Sequence, residues 1–137
     1  MIKANELRIG NLIEYPEFLM TLTVSSIDGT VINYSYQSKE CEPIPITEGI
    51  LLEWGFEKFS DSEIYNKKFG KGWILSIQKH PAHKKGYIAF IEDNHSDSPA
   101  PPSVHVEYLH TLQNLWFALD GKELIKKENG KTTTQKP

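Results

Sequence analysis

Hydrophobic and polar positions alternate with a period of two over much of this chain, and that period predicts short strands. In residues 7–15 (LRIGNLIEY), Leu7, Ile9, Ile13 and Tyr15 share one face, interrupted by Asn11. Gly10 predicts a bulge or tight bend there, and Pro16 ends the strand. Residues 19–27, rich in Thr, Val and Leu, read as a second strand. Asp28-Gly29 separates it from a third over 30–36, a hairpin signature. The N-terminal part thus predicts a three-stranded meander, of the kind that closes into a small SH3-like barrel.

The period then changes to that of a helix. After an extended stretch between Pro43 and Pro45, Thr47 stands at an N-cap position with Glu48 in the first turn. Ile50, Leu51 and Trp54 follow at helical spacing, and Gly55 is placed to stop the helix after about two turns. Gly49 weakens it slightly. Alternation returns over 63–69 and 73–79, two strands joined by Gly70-Lys71-Gly72 as a hairpin loop. Trp73, Leu75 and Ile77 fall on one face, which favours Trp73 in the core. A loop over 80–86, a strand over 86–92, a linker over 93–103 (DNHSDSPAPPS) and a short strand over 104–107 complete the middle of the chain. Leu109, Leu112, Leu115, Trp116 and Leu119 recur at i, i+3, i+6, i+7 and i+10, predicting a helix stopped by Gly121. His110, Thr111, Asn114 and Asp120 fall on its other side. The expected fold class is α+β and antiparallel β-rich: an N-terminal SH3-like small barrel or meander, a short middle helix, further antiparallel strands and a C-terminal helix. A single compact domain over 1–127 would be followed by a disordered tail over 128–137.

Composition adds bounds. At 137 residues the chain can bury a core without metal or disulfide staples. Its one cysteine, Cys41, excludes an intramolecular disulfide and fits a reducing compartment. The N-terminus shows no apolar run of signal type, so a cytoplasmic protein is expected.

Charge changes the picture more. Residues 64–91 hold six lysines (Lys67, Lys68, Lys71, Lys79, Lys84 and Lys85) and no acidic residue. Residues 1–63 carry 4 basic and 11 acidic side chains, and residues 92–137 carry 5 and 7, so the stated net charge of −3 conceals a basic segment. Tyr65, Phe69, Trp73, Tyr87 and Phe90 are interleaved with the lysines. Lysines neutralise phosphates and exposed aromatics stack on bases. The same pattern also arises when aromatics face a core and lysines blunt a strand edge. The candidate anion- or partner-binding residues are Lys67, Lys68, Lys71, Lys79, His80, His83, Lys84, Lys85 and Tyr87.

Catalytic signatures are missing from the sequence. His80-Pro81-Ala82-His83 has the spacing of a metal pair, but two ligands need completion by His95, His105 or His110. Asp93 and Asp97 are spaced as in part of a calcium loop whose glycine and terminal glutamate are absent. Glu40 and Glu42 flank Cys41 and would raise its pKa, which argues against a nucleophile. Gly70-Lys71-Gly72 lies between strands and offers no helix N-terminus to a phosphate. The face carrying Trp116 and Phe117 could serve a partner, although core packing explains its periodicity. No catalytic residue, metal or cofactor is assigned.

Three blocks, KANELRIGN (3–11), PIPITEGILLEWGFEK (43–58) and YLHTLQNLWFALDGKEL (108–124), together resemble a family of small phage and prophage proteins of anaerobic gut bacteria. The resemblance implies a mobile-element origin and a bacterial cytoplasm, and supplies no activity or site residue. The functional expectation is a non-catalytic binding protein that engages a host protein or sequesters an anionic small molecule such as a nucleotide signal. The alternative is a nucleic-acid-binding accessory domain using residues 64–91. Self-association through a strand edge stays open.

Overall fold

The computed structural model describes residues 2–59, 63–79, 86–93 and 103–126. In chain order they form strands β1 (Leu12–Tyr15), β2 (Met20–Thr23), β3 (Ile27–Asp28), β4 (Val31–Ile32) and β5 (Tyr36–Gln37). Helix α1 (Glu48–Glu53) follows, then β6 (Glu57–Lys58), β7 (Ile64–Phe69), β8 (Trp73–Lys79), β9 (Tyr87–Asp93), β10 (Val104–Val106) and helix α2 (Leu109–Asp120). The class is α+β, with antiparallel strands in three sheets. The contacts divide the chain into two compact units, one of Met1–Pro45 with Glu107–Glu123, the other of Ile46–Val106 with Leu124–Pro137. The tail expected over 128–137 lies outside the described residues.

In the first unit, β1 turns Ile13 and Tyr15 inward and Glu14 outward. Pro16 opens a 3-10 turn over Pro16–Phe18 instead of extending the ladder, since proline has no N–H to give. Leu19, at φ 51, then reverses the chain into β2, with Tyr15 opposite Met20 and Leu12 opposite Thr23. Gly10 makes the expected bend at φ +101, and a Cβ there would stand 2.8 Å from the Glu123 carboxylate. The Asp-Gly hairpin also forms: Asp28 pairs with Val31, leaving Gly29-Thr30 as the turn. Ile2, Ile13, Tyr15, Leu22, Val24, Ile32 and Cys41 make the core. Each such fully buried aliphatic side chain contributes about 1.5–3 kcal/mol relative to exposure.

The expected barrel does not close. The region forms a two-stranded sheet (β1-β2) and a separate three-stranded one (β3-β4-β5). Strands β3, β4 and β5 have two residues each, too few to bend around a barrel axis. Between β2 and β3, the Asn33 side chain takes the place of a ladder. Its Oδ1 accepts from Ser25 N at 2.7 Å, and its Nδ2 donates to Thr23 O at 2.9 Å.

Helix α2 adds a polar cluster to this unit. Arg8 donates to both carboxylate oxygens of Glu123 (2.5 and 3.0 Å) and from Nε to Asn114 Oδ1 (3.1 Å), with its guanidinium 4.3 Å from the Phe117 ring centre. Buried Asn11 donates to Asn114 Oδ1 at 2.8 Å, and buried Gln113 accepts from Leu12 N at 2.9 Å. Asn11 and Gln113 can be buried because their amides find partners. The buried side of α2 is Leu109, His110, Leu112, Gln113 and Trp116, whereas Leu115 and Leu119 are half-buried. His110 was expected on the outer side and is buried instead. Helix periodicity fixes which residues share a face but not how far burial extends around it.

In the second unit, α1 begins as expected, with Ile50 N donating to Thr47 Oγ1 at 3.2 Å. It ends in a Schellman motif: Phe56 N donates to Leu51 O and Gly55 N to Leu52 O, with Gly55 at φ +91. Buried Leu51 and Phe56 supply the apolar pair that accompanies this ending. The chain then enters β6, the edge of a five-stranded sheet ordered β10-β9-β8-β7-β6. Tyr65, Phe69, Leu75, Ile77, Tyr87, Ala89 and Val106 are buried on one sheet face.

Candidate functional site

Strand β7 sets the geometry of the basic segment. Successive strand residues point to opposite faces, so Lys67 lies on the face of buried Tyr65 and Phe69, and Lys68 on the face of Asn66. Lys67 is half-buried and Lys68 exposed. Strand β6 covers little of β7, pairing only Glu57 with Asn66 and Lys58 with Tyr65. Phe59 N also donates to Ile64 O at 2.8 Å. Hydrogen-bonding direction alternates along an antiparallel edge, so the main-chain N–H of Lys68 points to the same edge, beyond β6, with no strand partner there among the described residues.

A cleft of about 380 Å³ opens at that edge, lined by Gly55, Glu57, Lys58, Phe59, Asn66, Lys67, Lys68 and Ile74. Among the described residues its lining holds three lysines and one glutamate. Its floor is fixed, because the buried Ser76 hydroxyl, on β8 opposite Asn66, lies 2.8 Å from Asn66 Oδ1 and 3.1 Å from Glu92 Oε2. The α1 ending brings Gly55 so close that a Cβ there would stand 2.5 Å from Lys67 Nζ. Phe59, 61% exposed, and half-buried Ile74 give the cleft an apolar side.

A second cleft of about 280 Å³ is lined by Ile46, Thr47, Glu48, Lys58, Glu63, Tyr65, Lys79 and Tyr87. Among the described residues its charges balance, two lysines against two glutamates. Lys58 Nζ lies 3.4 Å from Glu48 Oε1. Burial, and then the hydrogen bond to Glu48, push the Tyr65 phenol up to about 12. The Tyr87 phenol is raised by burial, then by Glu48 and Glu63. Both phenols are therefore neutral hydrogen-bonding groups.

The structure thus divides the residues that sequence grouped together. Lys67 and Lys68 meet in the first cleft, and Lys79 and Tyr87 in the second. Lys71 sits exposed in the Gly70–Gly72 hairpin turn and lines neither. His80, His83, Lys84 and Lys85 lie outside the described residues, as do His95 and Asp97. Lys58 lines both clefts, yet it falls outside residues 64–91 and only the β6–β7 pairing brings it in. Trp73 corrects the expectation: it shares a face with Leu75 and Ile77 but is 44% exposed, because it stands at the hairpin end of β8. Tyr65, Phe69 and Tyr87 are buried, and Phe90 is half-buried.

Other candidate chemistry resolves into structure. Cys41 is fully buried, and its thiol is raised by burial first, then by Glu40 and Glu42. Phe117 lies under Arg8. Among the described residues no group of three or more His, Cys, Asp or Glu could hold a metal ion, and no helix is long and apolar enough to cross a membrane. Comparison with protein-family models, curated proteins and solved structures found no match.

Proposed function

We propose that this chain is a non-catalytic binding protein of a phage or other mobile element that sequesters an anionic small molecule, such as a nucleotide signal, in the β6–β7 cleft. The observation that carries this reading is the meeting of Lys58, Lys67 and Lys68 around a fixed Asn66 floor. Sequestration needs a shaped, charged pocket and no reacting groups. Native mass spectrometry of the protein purified from a bacterial host tests it. A retained anion, lost on Lys67→Ala/Lys68→Ala substitution with an unchanged circular dichroism spectrum, supports the reading. Retention unaffected by the substitution moves the site elsewhere.

Exposed Trp73, two residues from Lys71, favours the nucleic-acid reading. A single-strand platform stacks successive bases on several rings, and three of the five interleaved aromatics are buried. The small anion is therefore the stronger reading. Oligonucleotide retention that weakens steeply with salt and depends on Trp73 would reverse that order.

A further inference from the structure

We infer that the outer edge of β2 is a docking edge for an extended segment of a protein partner that carries a lysine or arginine opposite Thr21. The edge belongs to the first unit and is independent of the anion cleft. Its main-chain direction follows from the β1–β2 register. On the far side of β1, Glu14 N donates to Glu42 O and Glu42 N to Glu14 O, both at 2.9 Å, and Leu12 N donates to Gln113 Oε1. Glu14 and Leu12 therefore turn their main-chain groups away from β2, and their cross-strand partners Thr21 and Thr23 turn theirs away from β1. The Thr23 carbonyl agrees, since it accepts from Asn33 Nδ2. This leaves the N–H and C=O of Thr21 and the N–H of Thr23 pointing outward, with no strand partner among the described residues.

Natural sheet edges are blunted by lysine, proline or an inward charge. Residues 18–27 contain no charged residue and no proline. Thr21 and Thr23 are exposed, and their β-branched side chains suit strand pairing. Leu19, just before the strand, is 95% exposed at φ 51, a conformation that favours glycine or asparagine. A leucine there gives nothing to the core, and its apolar surface is open to a docked strand. Charge selects the occupant. Residues 9–45 carry five acidic side chains and one basic, Lys39. Exposed Glu14 stands opposite Thr21 on the outward face and makes no ion pair among the described residues. A residue docked opposite Thr21 lies two strand spacings, about 10 Å, from Glu14. Only the short threonine stands between, so a basic side chain and the glutamate can meet over it. A second copy pairing β2 to β2 about Thr21 would instead add another Glu14 and no cation. An antiparallel segment gains two main-chain bonds with Thr21 and one from Thr23 N–H, and its residue two positions on comes beside Leu19.

The test is titration of the isotope-labelled full chain with the peptide acetyl-Thr-Val-Lys-Val-Leu-amide, followed by NMR amide shifts. The Thr21 and Thr23 amides should shift most. Methylating the peptide's lysine nitrogen removes the bond to Thr21 O and should weaken binding about tenfold. Methylating the next valine nitrogen, which points away from β2, should leave binding unchanged. Glu14→Gln should cost up to about fivefold in affinity. Thr21→Pro deletes the outward donor while every β1–β2 bond stays, and should abolish docking; Glu14→Gln, which alters no main-chain group, guards against a folding defect in that variant. No shift at millimolar peptide overturns the proposal, as does equal binding of the two methylated peptides or of a peptide with glutamate in place of its lysine. A dimer in sedimentation velocity that Thr21→Pro dissolves gives the edge to a second copy and likewise overturns it.

Discussion

Two glycines at opposite ends of α1 should respond to the same substitution with opposite signs. Gly49 lies within α1 at ordinary helical dihedrals, and a Cβ added there would meet nothing nearer than Thr47 Oγ1 at 3.8 Å. Alanine is the better helix former and leaves the unfolded chain less freedom, so Gly49→Ala should stabilise by about 0.4–1 kcal/mol. Gly55 closes the same helix at φ +91, where an L side chain is strained, and its Cβ would stand 2.5 Å from Lys67 Nζ. The backbone strain costs about 1–2 kcal/mol. The clash itself adds little, because the atom met is the far end of a flexible side chain, but relieving it moves a cation of the candidate cleft. Gly55→Ala should therefore destabilise by about 1–2 kcal/mol and also alter anion affinity, whereas Gly49→Ala should leave binding alone. Urea midpoints followed by tryptophan fluorescence, with buried Trp54 ending this helix, measure the first effect, and phosphate titration the second. A neutral or stabilising Gly55→Ala would refute the left-handed ending, and with it the path by which α1 delivers Gly55 to Lys67.

His110 is buried, its Nδ1 has no hydrogen-bond partner among the described residues, and burial lowers its pKa against a smaller opposing effect of Glu6, whose carboxylate is 3.9 Å from Nε2. Above its usual pKa of 6.5 the ring is neutral in both folded and unfolded chains; below it the unfolded chain binds the proton first. Stability should therefore fall as pH drops below 6.5, with a shallower fall in His110→Leu, read from urea midpoints across pH. Leu19 is 95% exposed at φ 51, so Leu19→Asn gives up no burial and should stabilise the fold by up to about 1 kcal/mol, read as a higher urea midpoint. Cys41 should resist a water-soluble thiol reagent in the native protein and react fully in urea; fast native labelling would contradict its burial. Tyr65 should remain protonated at pH 11 by ultraviolet absorbance, and Glu48→Gln should lower its pKa.

Local order was the readable part of this sequence. Thr47, Gly55 and Gly121 act through the backbone within a few residues, and the β7–β8 hairpin carries its turn between its strands, so their boundaries could be read directly. What depended on distant partners could not. The barrel was inferred from strand spacing, yet closure requires edges to meet, and two-residue strands do not reach. Asn11 looked like an interruption of an apolar face. It is a buried hydrogen-bonding residue whose partner, Asn114, lies 103 positions away. Arg8 likewise reaches distant partners, Glu123 at 115 positions away and the ring of Phe117. These contacts give residues 3–11 and 108–124, two of the three distinctive blocks, a common physical role in tying β1 to α2.

The candidate cleft illustrates why a run of charge is a poor map of a charged surface. Lys67 and Lys68 are adjacent in sequence, and on a covered strand adjacency would send them to opposite faces of the sheet. They can line one cavity only where the strand runs past its neighbour, so that a ligand reaches around the edge. Strand β6 stops after two residues, and Gly55, whose missing side chain leaves room for Lys67, precedes it. The length of β6 thus decides whether these lysines act together, and β6 is also what brings in Lys58. Lengthening the β6 pairing to cover Lys68 would preserve every lysine and the net charge, yet separate the two faces again. Affinity for inorganic phosphate should then fall with composition unchanged, whereas a cleft that worked by charge density alone would bind as before.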